Sequence, residues 1–295
     1  MIHISKDQKG TNTVTSFTDD EMQRVADYWT PERMKNAKPF PLSEKIENFS
    51  ENIVGPAPVE VRRGPYFCGG RIFATDKHGG DHVGSAQFVG DCRILLTAAH
   101  CLTDSSGQLY SNIYFIRAYG LNGELYEHFD IQRVKVHPKW QGDLGNTTSI
   151  PFDYGFCYTT RPYKYRMGLQ IGEPVKNQLR AIGYPSNYEH GRVMYAVNGT
   201  KYLDPEYEGY YGMKGNPMSH GCSGGAWIID VTEAMDDRKN LVVGLNSRLT
   251  DDPELMLSPI FDKDTILLFN EVLHPCPTLI YNKDGVQLKN DFTTM

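Results

Sequence analysis

From about residue 59 onward the sequence is a series of short apolar runs rich in Val, Ile, Phe and Tyr, separated by Gly, Pro, Asn and Asp. Runs of this kind are typical of β-strands joined by turns, and their regular spacing indicates an all-β sandwich or barrel. The long helical segments that a parallel α/β fold needs between its strands are missing. The runs are 71–75, 85–89, 93–98, 112–120, 130–137, 154–160, 178–184, 193–199, 225–230 and 241–246.

The first sixty residues have a different pattern. Thr18 precedes three acidic residues, and this arrangement predicts a helix that runs to about Trp29. Thr30-Pro31 predicts a second, short helix with proline at its first position. Gly55-Pro56-Ala57-Pro58 indicates a linker.

We therefore predict two parts in the chain. Residues 1–60 form an N-terminal extension or pro-segment, and residues 61–295 form the main domain. Arg62-Arg63 is a candidate processing site, or an exposed basic pair in a loop. A late helix is predicted at about 265–273.

Composition excludes several kinds of function. The 295 residues carry a formal net charge of −6 and contain no lysine- or arginine-rich run, which argues against a nucleic-acid partner. No apolar stretch has the length of a membrane span, and the amino terminus lacks a signal-peptide core. None of the six cysteines forms a CxxC pair, so we expect no zinc site.

Three short stretches contain the residue types that nucleophilic catalysis needs. GCSGGAW places Ser223 between glycines, LLTAAHC places His100 after an apolar strand, and PFDYGF places Asp153 before another strand. A serine nucleophile needs a base within hydrogen-bond reach and a third group that orients the base. The chain order His, Asp, Ser distinguishes this arrangement from the other folds that carry the same three groups.

These motifs resemble those of the trypsin/chymotrypsin-like serine peptidases, and in particular the microbial branch that includes the glutamyl endopeptidases. WTPERMKNAKP at 29–39, GRIFAT followed by GSAQFVGD, and VVGLNSR at 242–248 extend the resemblance to roughly residues 29–275. The resemblance implies a chymotrypsin-like fold of two six-stranded antiparallel β-barrels. It also implies that no metal or other cofactor is needed.

The resemblance assigns a role to each matching position. Ser223 is expected to be the nucleophile, His100 the general base and then the acid, and Asp153 the carboxylate that orients His100. The backbone N–H groups of Gly221 and Ser223 are expected to form the oxyanion hole. The substrate-binding residues implied by the same matches are His220, Gly244, Asn246 and Ser247.

Two cysteines depart from the pattern. Cys222 stands where animal digestive members carry an aspartate that pairs with a newly formed amino terminus, so we expect an active site that needs no such pair and a small, buried Cys222. The residue after the catalytic histidine often pairs with a cysteine on the preceding strand, where this chain has Gly84. Cys101 then pairs with Cys68 or Cys92, or stays free.

The substrate preference is expected to be polar or acidic. Pro217 and Met218 lie near the expected base of the pocket, and no aspartate is present there to balance a substrate Arg or Lys. Asn246 takes roughly the position at which glutamyl endopeptidases use a histidine to read a glutamate.

The function implied is a serine endopeptidase that acts on polypeptide substrates, without a nucleic-acid or membrane partner and as a monomer. The family resemblance implies secretion, although no signal peptide is visible. The alternative is a catalytically inactive, peptidase-like binding module. An α/β-hydrolase would also fit G-x-S-x-G, but it requires Asp and then His after the serine, and only His274 follows.

Overall fold

The computed structural model describes residues 14–40, 55–120, 127–143, 146–236, 238–273 and 280–281. The helices are α1 Asp19–Tyr28, α2 Pro31–Asn36 and α3 Lys263–Val272. The strands in chain order are β1 Thr15–Ser16, β2 Lys38–Pro39, β3 Ala57–Pro58, β4 Gly69–Thr75, β5 Asp81–Phe88, β6 Ile94–Thr97, β7 Ser111–Arg117, β8 Glu127–Val136, β9 Gly155–Thr159, β10 Gly168–Gln170, β11 Gln178–Gly183, β12 Tyr195–Tyr202, β13 Tyr210–Lys214, β14 Ala226–Ile229, β15 Leu241–Leu245, β16 Arg248–Leu249, β17 Leu255–Pro259 and β18 Ile280–Tyr281.

The first half of the main domain is a closed antiparallel barrel. Its six strands follow the order β8-β7-β4-β5-β6-β9, and β9 pairs with β8 to close the ring. Closure leaves no open edge between these strands. The interior is filled by aromatic rings that are completely buried, among them Phe88, Phe115, Phe129 and Phe156.

The second half is a larger sheet with the order β16-β17-β13-β12-β11-β14-β15-β10-β18. β16 follows β15 after two residues and pairs with β17, and the Ser247 N–H between β15 and β16 donates to the Leu257 carbonyl at 3.0 Å. Among the described residues this pairing is only two residues long, so the second half is a sheet that returns on itself through a short contact, whereas the first half is closed by longer ladders. A core around Trp227 and Tyr211 lies behind this sheet.

The expected fold class is confirmed, and so are the three helices. Thr18 caps α1 in a capping box with Glu21, and Pro31 is the first residue of α2. α3 begins slightly earlier than predicted because Asp262 accepts the first free N–H groups of the helix. The predicted runs do not include β10, β13 and β17, which are only three to five residues long, or the two-residue strands β1, β2, β3, β16 and β18.

The N-terminal part packs directly on the main domain. β1 pairs with β8, β2 pairs with β5, and β3 pairs with β12. The stretch expected to be a linker therefore contains a paired strand at Ala57–Pro58. The domain boundary near residue 60 and the removal of the extension stay predictions. No helix in the part of the chain that the structure describes combines the length and apolar character that crossing a membrane requires.

Candidate active site

His100 and Asp153 are brought together by the pairing of two barrel strands. β6 and β9 are antiparallel with Thr97 opposite Gly155, so the end of one strand lies beside the beginning of the other. His100 lies in a 3₁₀ turn just after β6, and Asp153 immediately precedes β9. The regular ladder thus fixes the distance between an imidazole and a carboxylate that are 53 positions apart.

The carboxylate of Asp153 holds His100 through two atoms. The backbone N–H of His100 donates to Asp153 Oδ1 at 2.9 Å, and the ring Nδ1 donates to Oδ2 at 2.8 Å. The Ser247 hydroxyl also donates to Oδ2, at 2.6 Å. With Nδ1 bound to the carboxylate, the second imidazole nitrogen of His100, Nε2, points away from Asp153 and is available for another group.

The charge of Asp153 changes the acidity of the imidazole. Burial by itself disfavours the imidazolium form, but the neighbouring carboxylate stabilises it, and the net result is a raised pKa for His100. An imidazole with a raised pKa is a stronger base. This is the direction that helps it to accept a proton from a weakly acidic hydroxyl.

Ser223 comes from a loop between β13 and β14 in the second half. Its carbonyl accepts the Ser85 N–H at 2.8 Å and the Cys101 thiol at 3.7 Å, so the loop is attached to the barrel beside His100. Ser223 Oγ and His100 Nε2 are both buried without a hydrogen-bond partner among the described residues. Buried polar atoms without partners are uncommon in proteins and are concentrated at functional sites.

The glycines around Ser223 have specific conformational reasons. Gly221 has a φ of +91°, and a Cβ there would lie 2.6 Å from the Tyr184 carbonyl. Gly224 has a φ of +82°, and a Cβ would lie 2.2 Å from Thr97 Oγ1. These positions therefore require glycine, which the sequence pattern suggested without giving the contacts.

Two backbone N–H groups near Ser223 have no acceptor among the described residues, those of Gly221 and of Ser223 itself. The intervening carbonyl of Cys222 is fixed, since it accepts the N–H of Gly225 at 2.9 Å and the amide of Asn246 at 3.2 Å. The peptide that contains the Ser223 N–H is consequently held in one orientation.

Asn246 belongs to a buried hydrogen-bond network. Its amide nitrogen donates to the carbonyls of Ile182 and Cys222, and its oxygen accepts from Trp227 Nε1 at 2.7 Å and from Asn216 Nδ2 at 3.0 Å. All hydrogen-bonding positions of this amide are thus used inside the protein. The side chain therefore has no free hydrogen-bonding group for a substrate, and the assignment of Asn246 to substrate binding stays a prediction that would have to involve its backbone.

The other residues assigned to substrate binding lie in different environments. The Ser247 hydroxyl donates to Asp153, and the assignment of Ser247 to substrate binding stays a prediction. The absent side chain of Gly244 leaves room for Ser258 Oγ and Tyr211, 2.4 and 2.6 Å from a Cβ placed there. His220 is half-buried just before Gly221, and its role stays a prediction.

The described cysteines near the site are free thiols. Cys101 does not form a disulfide, which leaves the third of the expected possibilities, and Cys68, Cys157 and Cys222 are also free and buried. Burial raises the pKa of the Cys222 thiol above its usual range, so this residue is a packed and unreactive neighbour of Ser223. Cys276 and His274 lie outside the described residues.

Two polar side chains beside the site, Ser85 and Gln87, were not identified from the sequence. Ser85 Oγ donates to the Gly221 carbonyl at 2.9 Å and accepts the Tyr184 N–H at 3.0 Å. Gln87 Nε2 donates to the Gly224 carbonyl at 3.0 Å. Their alternation along β5 could have placed them on one face, but nothing in the sequence indicates that this face meets the Ser223 loop. Among the described residues no cluster of His, Cys, Asp or Glu could hold a metal ion.

Three solved structures with a similar fold are proteases. A thermostable serine protease, AL20, from an extremophilic microorganism has 22% identity and a TM-score of 0.57, with 69% of this chain and 95% of that one covered. The protease Anisep from Arthrobacter nicotinovorans has 21% identity and a TM-score of 0.59, with 70% and 95% covered. A Glu endopeptidase in complex with MPD has 16% identity and a TM-score of 0.55, with 73% and 95% covered.

These similarities show that the chain has the chymotrypsin-like fold of these proteases. No family model and no curated protein sequence matches the chain.

Proposed function

We propose that this protein is a serine endopeptidase that hydrolyses polypeptides through an acyl-enzyme formed on Ser223. The observation on which the proposal mainly rests is the pair of free, buried atoms His100 Nε2 and Ser223 Oγ at the junction of the two halves. The hydrogen bond between Asp153 and His100 supports the same reading. The names of the structural neighbours, which are a serine protease, a protease and a Glu endopeptidase, agree with it.

The proposed first step is acylation. His100 Nε2 accepts the proton of the Ser223 hydroxyl while Oγ bonds to the carbonyl carbon of the substrate, and the carbonyl oxygen becomes an oxyanion. The proton on His100 then passes to the leaving amine as the C–N bond breaks. In the second step a water gives its proton to His100 and attacks the ester, and Ser223 recovers its proton when the acid leaves.

The oxyanion would be stabilised by the N–H groups of Gly221 and Ser223. Each removed donor of this kind costs about 3 kcal/mol of transition-state stabilisation in comparable sites. The fixed Cys222 carbonyl supports this role, because its peptide does not need to reorganise when the negative charge forms. Asp153 keeps the correct imidazole nitrogen facing Ser223 and stabilises the imidazolium.

The proposed substrate preference is a polar or acidic side chain at the cleavage position. Met218 is completely buried near the expected pocket base, and residues 215–221 around it in the sequence contain no Asp or Glu that would balance a substrate cation. Because Asn246 is fully hydrogen-bonded, recognition would fall to His220, Ser219 and backbone groups. A peptide-library profile dominated by Arg, Phe or Leu would reject this preference while leaving the endopeptidase proposal intact.

The direct test combines an active-site probe with one variant. A fluorophosphonate should label the wild-type protein on Ser223, and the Ser223→Ala variant should be neither labelled nor able to cleave peptides. Circular dichroism should show that this variant keeps the native fold. Absence of labelling and cleavage in the folded wild type would favour the inactive binding module.

A further inference from the structure

The N-terminal segment, which we define as residues 14–40, is built into the wall of the barrel. Trp29 is only 4% exposed, and its Nε1 donates to the Asn112 carbonyl at 2.7 Å. The Tyr28 hydroxyl donates to Asp81 at 2.7 Å. Contacts of this kind resemble those of a permanent structural element, because they bury a large aromatic side chain and satisfy its polar atom.

Phe40, at the end of this segment, lies in the core of the barrel. It is completely buried, and its backbone N–H donates to the Val83 carbonyl at 3.1 Å. Its ring is stacked near His82 and Tyr110, with ring centroids 5.4 Å away in both cases. The parallel pairing of β2 with β5 delivers the ring to this place.

The same ring reaches the back of the candidate active site at Gly84. A Cβ placed on Gly84 would lie 3.2 Å from Phe40 Cδ2, 2.9 Å from Cys101 Sγ and 3.2 Å from the Ser223 carbonyl oxygen. The absence of a side chain at residue 84 therefore leaves a space that the phenyl ring, the thiol and the serine carbonyl share.

The groups around this space come from both catalytic segments, the turn that carries His100 and the loop that carries Ser223. Cys101 directly follows His100, and its thiol donates to the Ser223 carbonyl. The N–H of Ser85, next to Gly84, donates to the same carbonyl at 2.8 Å. Phe40 thus packs against the group of contacts that attaches the Ser223 loop to the His100 turn.

We propose that Phe40 is a positioning residue for His100 and Ser223, and that the N-terminal segment is a lasting part of the active enzyme. The proposal rests on the endopeptidase function proposed above. Removal of the ring leaves a cavity behind Cys101, into which the His100 turn or the Ser223 loop can relax. Any cut in the chain after residue 40 would leave the segment bound, so its release is not the activating event.

The test compares two phenyl rings of the same core in the full-length chain. Phe40→Ala removes the ring at Gly84, and Phe115→Ala removes a completely buried ring that packs instead on Phe88 and Phe129. Both variants should unfold more readily. Per folded molecule, only Phe40→Ala should lose fluorophosphonate labelling rate and kcat, by about tenfold to a hundredfold as expected for a small misplacement, with little change in KM.

A rescue experiment separates positioning from general stability. A cysteine at residue 84 would lie close enough to Cys101 to form a disulfide. In the Phe40→Ala/Gly84→Cys double variant, oxidation by oxidised glutathione, which takes up the two electrons and two protons, should restore most of the labelling rate. Reduction by dithiothreitol should remove it again. Phe40→Leu, which keeps part of the ring volume, should give an intermediate labelling rate. It takes the place of Phe40→Ala in the comparison if Phe40→Ala does not fold.

The outcomes distinguish the two proposals. A folded wild type without labelling contradicts the endopeptidase function itself. A labelled wild type with equal rates in Phe40→Ala and Phe115→Ala overturns the positioning role. Native mass spectrometry of the labelled wild type should find residues 14–40 present, either uncut or as a bound fragment. A labelled form that has lost them overturns the permanence of the segment.

Discussion

The first barrel holds His100 and Asp153 by the pairing of two strands, whereas the second half holds Ser223 by buried side chains and glycines. In the barrel, the β6–β9 ladder brings the two residues together, and their own hydrogen bonds complete the arrangement. In the second half, Asn246, Gly221 and Gly224 determine the path of the Ser223 loop. A strand ladder can form with many different side chains, but a network of buried side-chain amides is lost when one of its members is replaced.

The difference indicates where each half is vulnerable. Substitutions in β6 or β9 that keep an apolar side chain preserve the ladder, because the hydrogen bonds belong to the backbone. A substitution in the second half that removes one polar side chain leaves several buried partners unpaired. We therefore expect the loss of the polar side chain of Asp153 to appear mainly in chemistry, and the loss of a polar side chain that holds the Ser223 loop to appear in both stability and chemistry.

The largest expected effect is on the barrel half. Asp153→Asn should lower kcat by about ten-thousand-fold, since an amide cannot hold the imidazole in the required tautomer or stabilise its cation. The free energy of unfolding should change far less than the rate. Stopped hydrolysis assays together with chemical denaturation measure the two quantities. A variant with more than a tenth of the wild-type kcat would contradict this role.

The hydrogen-bonded pair of His100 and Asp153 also predicts how the rate of labelling depends on pH. Because Asp153 raises the pKa of His100, the neutral imidazole that accepts the proton forms only as the pH rises above the ordinary value of 6.5. The rate of fluorophosphonate labelling should therefore increase with pH, with a midpoint above that value. In Asp153→Asn the remaining rate should have its midpoint at a lower pH. A wild-type midpoint below 6 would contradict the stabilising effect of the carboxylate.

The next effect concerns Gly224 in the second half. Gly224→Ala should lower the free energy of unfolding by about 3 kcal/mol, because the new methyl group meets Thr97, Ser85 and Ala98 while the backbone has a positive φ. Gly79→Ala is the matched control: it has the same φ of +82° but nothing within 4 Å. It should cost only about 1 kcal/mol. Equal losses would show that the close contacts at Gly224 do not matter.

Asn246→Ala should also lower the free energy of unfolding, by less than Gly224→Ala does. It leaves Trp227 Nε1 and the Asn216 amide without their acceptor, and it releases the Cys222 carbonyl. The expected loss is about 2 kcal/mol in the free energy of unfolding, together with a lower labelling rate. Asn198→Ala, an exposed asparagine that accepts a hydrogen bond from Arg180, should change either quantity little. An unaltered labelling rate in Asn246→Ala would show that the hydrogen bonds of Asn246 do not support the reactivity of Ser223.

The smallest expected effect lies at the contact between the halves. Ser247→Ala removes one hydrogen bond to the charged Asp153, which should lower kcat by about tenfold. Ser258→Ala removes a hydroxyl that hydrogen-bonds to the backbone of Leu245 and Pro259 and not to Asp153, so it should leave kcat nearly unchanged. The comparison of kcat values in the two variants checks whether the Asp153 contact is specific.

By itself, the sequence determined the all-β class, the capped helices and the three motifs around His100, Asp153 and Ser223. These features depend on local periodicity, on capping residues and on short spacings, which the chain displays directly.

Only the tertiary structure decided what the neighbouring polar residues do. Asn246 and Ser247 have the composition of a binding pocket, but their side chains are used by Trp227, Asn216 and Asp153. The contact of Phe40 with Gly84 joins positions 44 apart in sequence number through a parallel pairing that no local pattern announces. Hydrogen bonds and close packing of this kind depend on which surfaces meet after folding, and a one-dimensional pattern does not contain that information.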